Sequence, residues 1–351
     1  MSEMENIGSQ LGEVGSHFGE VFGGIGFMFL LPFALFILIF TIVIVSIVKA
    51  NKKHKNTMNR IATTYPDVVQ KYKNILEFDP ELSALRKECK KFSTIGTVMA
   101  IVGLCTFFVF SILSMAMLIG GLILANVKKG AYSKRFKEHV MKAALKEYDS
   151  ELTYFPTGCI PEPQYKMARF ESYDRYHSED RVNGKINGYD FIMADVHVED
   201  RREDSDGDTH YVTLFNGPVA ILTLPEYINL DLAVVNNRIK LFSGTRVEID
   251  NPEFEEIYDV FSSDEVTTMR VLTPSVTTKL IDMYRKYDFH FELKIVNNQM
   301  YFRFHCGDLF EANPKDTQAE AIGVALYFEI LNGIKEIMEE VIEATKFLRK
   351  K

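Results

Sequence analysis

The stretch Phe289-His290-Phe291-Glu292-Leu293-Lys294-Ile295-Val296-Asn297-Asn298-Gln299-Met300-Tyr301-Phe302-Arg303-Phe304-His305-Cys306 alternates apolar and polar residues on both sides of an Asn-Asn pair, the pattern of a hairpin half-buried in a sheet. With Asn297-Asn298 as a two-residue turn, Val296 faces Gln299, Leu293 faces Phe302, Phe291 faces Phe304 and Glu292 faces Arg303. One surface then holds Phe289, Phe291, Leu293, Ile295, Met300, Phe302, Phe304 and Cys306. The other holds His290, Glu292, Lys294, Gln299, Tyr301, Arg303 and His305. A slip of one residue would mix the two sets, so the pattern fixes the register. One face is expected to pack and the other to be wet.

Working outward, Asn187-Gly188 sits between Val182 to Ile186 and Tyr189 to Val198, the signature of a second tight hairpin. The charged stretch Glu199 to Thr209 then separates that hairpin from expected strands at Tyr211 to Phe215 and Val219 to Leu224. Asn251-Pro252 and Thr273-Pro274 predict helices over Glu253 to Val260 and Ser275 to Tyr287, because a capping oxygen accepts free amides and Pro has none to satisfy. Thr317 to Phe347 predicts a last helix, with Ile322, Leu326, Ile330, Ile334, Ile337, Val341 and Ile342 along one stripe and Glu336, Glu339, Glu340 and Glu343 elsewhere. Hairpin-linked strands with late helices indicate α+β with a mainly antiparallel sheet.

The N-terminal third reads differently. Phe22 to Val48 and Phe92 to Val127 are charge-free runs of 27 and 36 residues, and about 20 apolar residues suffice to cross a bilayer. Positive charges flanking spans stay in the cytoplasm. The tail 1–21 has four Glu and no Lys or Arg, and Lys49, Lys52, Lys53 and Lys55 follow the first run, so its N-terminus is expected outside. One straight helix over 92–127 would reach roughly 54 Å, against a hydrocarbon core of about 30 Å. Arg86, Lys87, Lys90 and Lys91 precede this run, and Lys128, Lys129, Lys134 and Arg135 follow it. A hairpin of two short spans, turning near Ser111 to Ser114, keeps both basic flanks inside; one long tilted span is the alternative. The expected organisation is therefore an acidic glycine-rich tail (1–21), a span (22–48), a basic cytosolic loop (49–91), helical around Pro66 and Pro80, a hydrophobic hairpin (92–127), a connecting helix (128–149) and a cytosolic α+β domain (150–351). Gly15, Gly19 and Gly23 recur every fourth residue and would give a helix a bare face for self-association; a flexible tail explains them equally.

Residues 147–351 carry 22 basic and 38 acidic side chains within a chain of net charge −8. That excess repels phosphate backbones, so no nucleic-acid partner is expected. Cys89, Cys105, Cys159 and Cys306 form no CxxC pair, which suits a reducing compartment. Neither run contains an ionisable side chain to line a transport pathway.

Motifs for chemistry are sparse. No GxGxxG, Walker lysine loop, GxSxG or HExxH occurs, and no cofactor is expected. Asp204-Ser205-Asp206-Gly207-Asp208 lacks the Gly and Glu that a calcium loop places at its sixth and twelfth positions. His290 and His305, opposite each other with Glu292 beside them, are candidate metal ligands, although cross-strand polar pairs explain them as well. Asp264 and Glu265 are candidate acid–base carboxylates after Ser262-Ser263, in a context that equally suits a helix cap.

The segments Tyr132 to Glu138, Leu152 to Pro156, Tyr173 to Tyr176, Glu179 to Gly184, Phe215 to Gly217, Val247 to Phe254, Val260 to Val266 and Leu272 to Pro274 follow one another at intervals that resemble the bacterial membrane proteins of domain of unknown function family 3137. The resemblance covers about residues 92–345 and is most specific from Ser262 to Pro274. It implies a short hydrophobic hairpin joined to a cytoplasmic domain, and no catalytic residues. The first span and glycine-rich tail depart from it. Two functions are therefore expected in competition. One is a multi-pass, non-enzymatic protein of the bacterial plasma membrane whose cytosolic domain binds a protein partner or a second copy. The other is a membrane-bound hydrolase or metal-dependent enzyme using Asp264, Glu265 or the two histidines.

Overall fold

The computed structural model describes residues 58–106, 111–186, 188–204, 206–224, 228, 230–236, 244–287 and 290–346. The chain divides into two units, Met1–Asn59 and Arg60–Lys351. The tail 1–21, with Gly15, Gly19 and Gly23, and the run 22–48 lie outside the described residues.

Among the described residues of the second unit, nine strands form one sheet: β1 (Thr153–Phe155), β2 (Arg175–Ile186), β3 (Tyr189–Glu203), β4 (Thr209–Thr223), β5 (Asp231–Asn236), β6 (Thr245–Val247), β7 (Tyr258–Ser262), β8 (Phe291–Val296) and β9 (Gln299–Phe304). Their order is β1-β2-β3-β4-β9-β8-β5-β7-β6, with every described pairing antiparallel. The class is mixed α+β. The β8–β9 hairpin is central, flanked by β4 and β5, and has the register Val296↔Gln299, Leu293↔Phe302, Glu292↔Arg303 and Phe291↔Phe304. Asn297 takes φ 58° at the turn, a left-handed conformation that Asn tolerates better than most residues.

The expected wet face is a correction. Glu292, Lys294, Tyr301 and Arg303 are all buried. Residues between Ile160 and Phe170, including the short helix α6 (Glu162–Lys166), lie over that side of the sheet and pack Tyr165 and Phe170 onto Val196, Phe215, Ile221 and Tyr301. Alternation sets the register, but it cannot say whether a polar face will be roofed by chain more than a hundred residues away.

The other helices are α1 (Pro66–Phe78), α2 (Pro80–Thr106), α3 (Ser111–Asn126), α4 (Lys129–Arg135), a π-helical segment (Phe136–Met141), α5 (Lys142–Tyr148), α7 (Pro252–Ile257), α8 (Glu265–Val271), α9 (Pro274–Tyr287) and α10 (Thr317–Lys346). Pro66, Pro80, Pro252 and Pro274 each occupy the first helical position, where the missing amide costs nothing. Asn251 Oδ1 accepts from Phe254 N at 3.2 Å. The helix it starts ends at Ile257 instead of Val260, because Tyr258–Ser262 forms β7 between β5 and β6. The charged stretch Glu199 to Thr209 is also partly strand: Glu199 to Glu203 pair with Thr209 to Thr213 in a ribbon extending β3 and β4.

α10 is buried more widely than one stripe. Ala321, Tyr327, Leu331 and Met338 join the expected residues, and Tyr327 reaches Met193 on β3. The second covering is α1, whose Val69, Tyr72 and Leu76 are buried and whose Tyr72 meets Phe328 edge-on at 6.0 Å. Residues 60–91 are thus built into the α+β unit, not strung beside it as a loop. Glu329 sits on α10 with a fully buried side chain, held by Arg60 at 3.0 and 3.1 Å and by Lys286 at 3.0 Å.

Candidate functional site

Over the charge-free run 92–127, α2 and α3 form two arms whose packing is set by small residues. A Cβ on Gly96 would lie 2.6 Å from Ala125 N, one on Gly121 2.8 Å from Ala100 N, and one on Gly103 2.7 Å from Ser114 O. The arms therefore run antiparallel with their backbones in contact. Only residues without side-chain bulk at these positions allow such an approach. Ser111 to Ser114, where the turn is expected, are the first residues of α3. On the outer surfaces, Val98, Ile101, Leu113, Leu122, Ile123 and Val127 each keep more than half of their area exposed. Among the described residues, one helix, Leu113–Tyr148, is long and apolar enough to cross a membrane.

The base of the arms is locked into the α+β unit. α2 buries Leu82, Arg86 and Cys89, and the helix continuing from α3 buries Tyr132, Phe136, Val140 and Leu145. Arg86 donates to Leu76 O at 3.0 Å, to Tyr132 Oη at 2.5 Å and to Glu320 Oε2 at 3.2 Å, while Tyr132 Oη donates to the same carboxylate at 2.6 Å. Arg86, one of the basic residues that precede the run, is a clamp between α2, α4 and the start of α10. Arg135 is likewise tied, to Asp79 and Glu81.

Burial pushes the Glu320 carboxyl up to about 7, against the lowering effect of Tyr132 and Arg86. Burial also pushes Asp180 up to about 6, opposed by Lys137 and Tyr154. Both carboxyls hold a proton in the folded chain at pH values where the unfolded chain has lost it. Their contribution is thus fully present below the ordinary carboxylate range and is lost as pH rises through about 6 to 7. Urea midpoints measured from pH 5 to pH 8 are expected to fall, and Glu320→Gln to flatten the fall. An unchanged slope in E320Q would remove Glu320 as its source.

Beneath α6, Arg303 Nε and Nη2 bond Glu292 Oε2 and Oε1, each at 3.0 Å. Arg303 Nη1 reaches Tyr165 Oη at 3.2 Å and also Glu171. Lys294 Nζ donates to Ala168 O at 2.9 Å and Arg169 O at 2.6 Å. Burial raises the Glu292 pKa, but Arg303 and His305 outweigh it and hold the carboxyl below its ordinary range. Burial pulls Lys294 down to about 8. Bonded in this way to the segment that covers it, the group stitches the 160–171 cover to the sheet.

The two candidate histidines diverge. His305 Nε2 pairs with Glu292 at 2.9 Å, whereas the His290 ring stacks on Tyr284 of α9 at 5.9 Å. Among the described residues, no group of three His, Cys, Asp or Glu side chains is placed to hold a metal ion. Asp264 and Glu265 are exposed at the start of α8. Asp264 Oδ1 accepts from Val266 N at 3.0 Å and Thr267 N at 3.4 Å, and Oδ2 accepts from Thr267 Oγ1 at 2.5 Å. The hydroxyl bond to Thr267 heads the causes that hold its carboxyl below the usual range. This is helix capping. Asp264→Ala is expected to lower the urea midpoint slightly and Asp264→Asn to restore most of it, since Asn keeps the accepting oxygen. Equal losses in both variants would mean that the charge, and not the cap, matters.

Residues 213–343 match the model of the family described as Protein of unknown function (DUF3137). The likeness is to that segment, less than half of the chain. The DUF3137 segment runs from β4 into α10, shorter than the 92–345 over which the motifs resemble it, and leaves α2, α3 and Glu171 outside. Its most specific motif, Ser262 to Pro274, comprises the end of β7, the Asp264 cap and the Thr273-Pro274 start of α9. The motif encodes turns and caps. No curated protein matches the chain. Among solved structures, that of the mycobacterial trehalose monomycolate transport factor A, TtfA, is similar over 56% of this chain and 96% of that one, at 10% identity and a TM-score of 0.31. A likeness of that size fixes neither fold nor function.

Proposed function

We propose that the chain is a non-enzymatic protein of the bacterial plasma membrane. In this reading α2 and α3 form a hairpin of two short spans, residues 22–48 add a further span, and the α+β unit lies on the cytosolic side, where it engages a protein partner or a second copy. The observation that carries the reading is the exposed apolar surface of both arms over the charge-free run 92–127. In water such a contiguous patch is a liability, and in lipid it is the natural outer surface. Antiparallel packing brings the basic flanks before residue 92 and after residue 127 to the same end of the arms, which favours the inner leaflet for that end.

Two measurements test it. After sodium carbonate washing, the full chain is expected to stay with the membrane pellet and to need detergent for release; a chain that stays dissolved without detergent overturns the anchor. For sidedness, the reporter is Cys159, which is exposed, whereas Cys89 is buried and burial also pushes the Cys306 thiol far up. An impermeant thiol reagent is expected to leave Cys159 unmodified in sealed cells and to modify it after lysis. Crosslinking in native membranes is expected to give a heavier species, and a solitary monomer would count against the interaction role.

A further inference from the structure

We infer that Lys87, Lys90 and Lys91 form a binding face for the phosphate headgroups of anionic phospholipids, an inference that rests on the anchored reading above. Their spacing on α2 places all three on one side of the helix, since residues three and four apart are neighbours. All three are exposed, and no acidic side chain pairs with them among the described residues. Their basic neighbours at the base of the arms are already engaged: Arg86 with Glu320, Lys128 with Glu88 at 2.9 Å, Lys129 with Glu311 at 3.1 Å and Arg135 with Glu81 at 3.0 Å. Glu88, the acid on the same turn as the three lysines, is thus turned toward Lys128. What remains is a cluster of like charges on one helical face, which is unfavourable in isolation and is relieved by an external anion.

The location selects that anion. The cluster ends one residue before the charge-free run, where Phe92 lies under Lys128 at 6.0 Å. From Lys87 to Lys91 the helix rises about 6 Å. The headgroup layer between hydrocarbon and water is about 5–8 Å thick on each side. The three ammonium groups therefore sit at phosphate depth when the arm crosses the bilayer. An anionic leaflet would repel residues 147–351, with their 22 basic and 38 acidic groups, so a local cationic face is what makes the near surface compatible with it.

The full chain reconstituted in nanodiscs of phosphatidylcholine and phosphatidylglycerol is expected to retain phosphatidylglycerol above its mole fraction when washed with mild detergent, as read by mass spectrometry. K87Q/K90Q/K91Q is expected to weaken the affinity for phosphatidylglycerol by about fivefold per lysine at low salt, read as loss of the enrichment, and 0.5 M salt to reduce it in the wild type. K142Q/K146Q, on the exposed side of the connecting helix well beyond the arms, should keep it. Equal enrichment in the wild type and the triple variant, or none in an inserted wild type, overturns the inference while leaving the anchor standing. A wild type that carbonate strips from membranes overturns both. All three lysines are exposed, so unchanged thermal midpoints are expected, and single K87Q and K91Q variants supply the readout if the triple variant is unstable.

Discussion

Arg303→Ala is expected to destabilise the α+β unit by about 3–5 kcal/mol, the range for removing one partner of a buried ion pair. Arg303 is 3% exposed and the Glu292 it bonds is 0% exposed. Without Arg303, Glu292 keeps the His305 bond alone and Glu171 loses its buried cation. Burial then wins over the remaining attraction, and Glu292 must take up a proton or draw in water. The pH dependence carries the sign. In the wild type the low Glu292 pKa gives stability that is present above the ordinary carboxylate range and lost as pH falls through the folded value; R303A should lack that acid-side loss. The companion variant is E292Q/R303M, which removes both charges. It is expected to lose less than R303A, because the fully buried carboxylate of Glu292 is no longer left without its cation and only the partly exposed Glu171 is. Urea unfolding of the detergent-solubilised chain reads all of these. An R303A value within about 1 kcal/mol of wild type would show that the pair is solvated or dispensable.

The same residues show how far the sequence could be read. The β8–β9 register and the Glu292–Arg303 pairing follow from alternation, since period two leaves a single arrangement that segregates apolar from polar. That the polar side is dry does not follow, because Tyr165, Phe170 and Glu171 come from a segment with little periodicity of its own. β5 and β7 were hidden for a related reason. Leu232 to Val235 is a short apolar run with no alternation, as expected of a strand covered on both faces, and Tyr258 to Ser262 continues directly from a helix. Asp264 was legible as a cap from its Ser-Ser-Asp context, and its carboxylate accepts from Val266 N and Thr267 N in the structure. Arg86 and Glu320 were not legible as partners: they lie 234 positions apart, and each alone resembles an ordinary charged helix residue. The arms gave a clear composition signal, whereas the glycines that close them, Gly96, Gly103 and Gly121, stand inside runs of apolar residues where nothing in composition marks an interface.

Those glycines carry the other large effect. Gly96→Leu is expected to part the arms, whereas Gly120→Leu, one position from Gly121 on α3, is expected to be neutral or stabilising. At Gly96 even a Cβ would meet the backbone of α3, at 2.6 Å from Ala125 N, and backbone cannot swing aside as a side-chain tip can. At Gly120 an added Cβ meets nothing within 4 Å. Both changes remove a glycine from a helix, which alone favours the variant by up to about 1 kcal/mol. Their difference therefore isolates the contact. Overpacking a tight interior costs about 1–3 kcal/mol, and the cost in G96L should lie at the upper end because the obstruction is main chain. Within lipid, no hydrophobic drive opposes separation, since the surrounding chains are as apolar as the side chains. Thus arms held by close van der Waals contact have little to replace it. The readout is the thermal midpoint in detergent together with the amount of chain resisting carbonate extraction. G96L should lose several degrees and part of its membrane-retained population, and G120L neither. If the two variants behave alike, the arms are not packed through Gly96. The apolar surfaces would then face each other by some other route, and the lipid-facing assignment of Leu122 and Ile123 would fall with it.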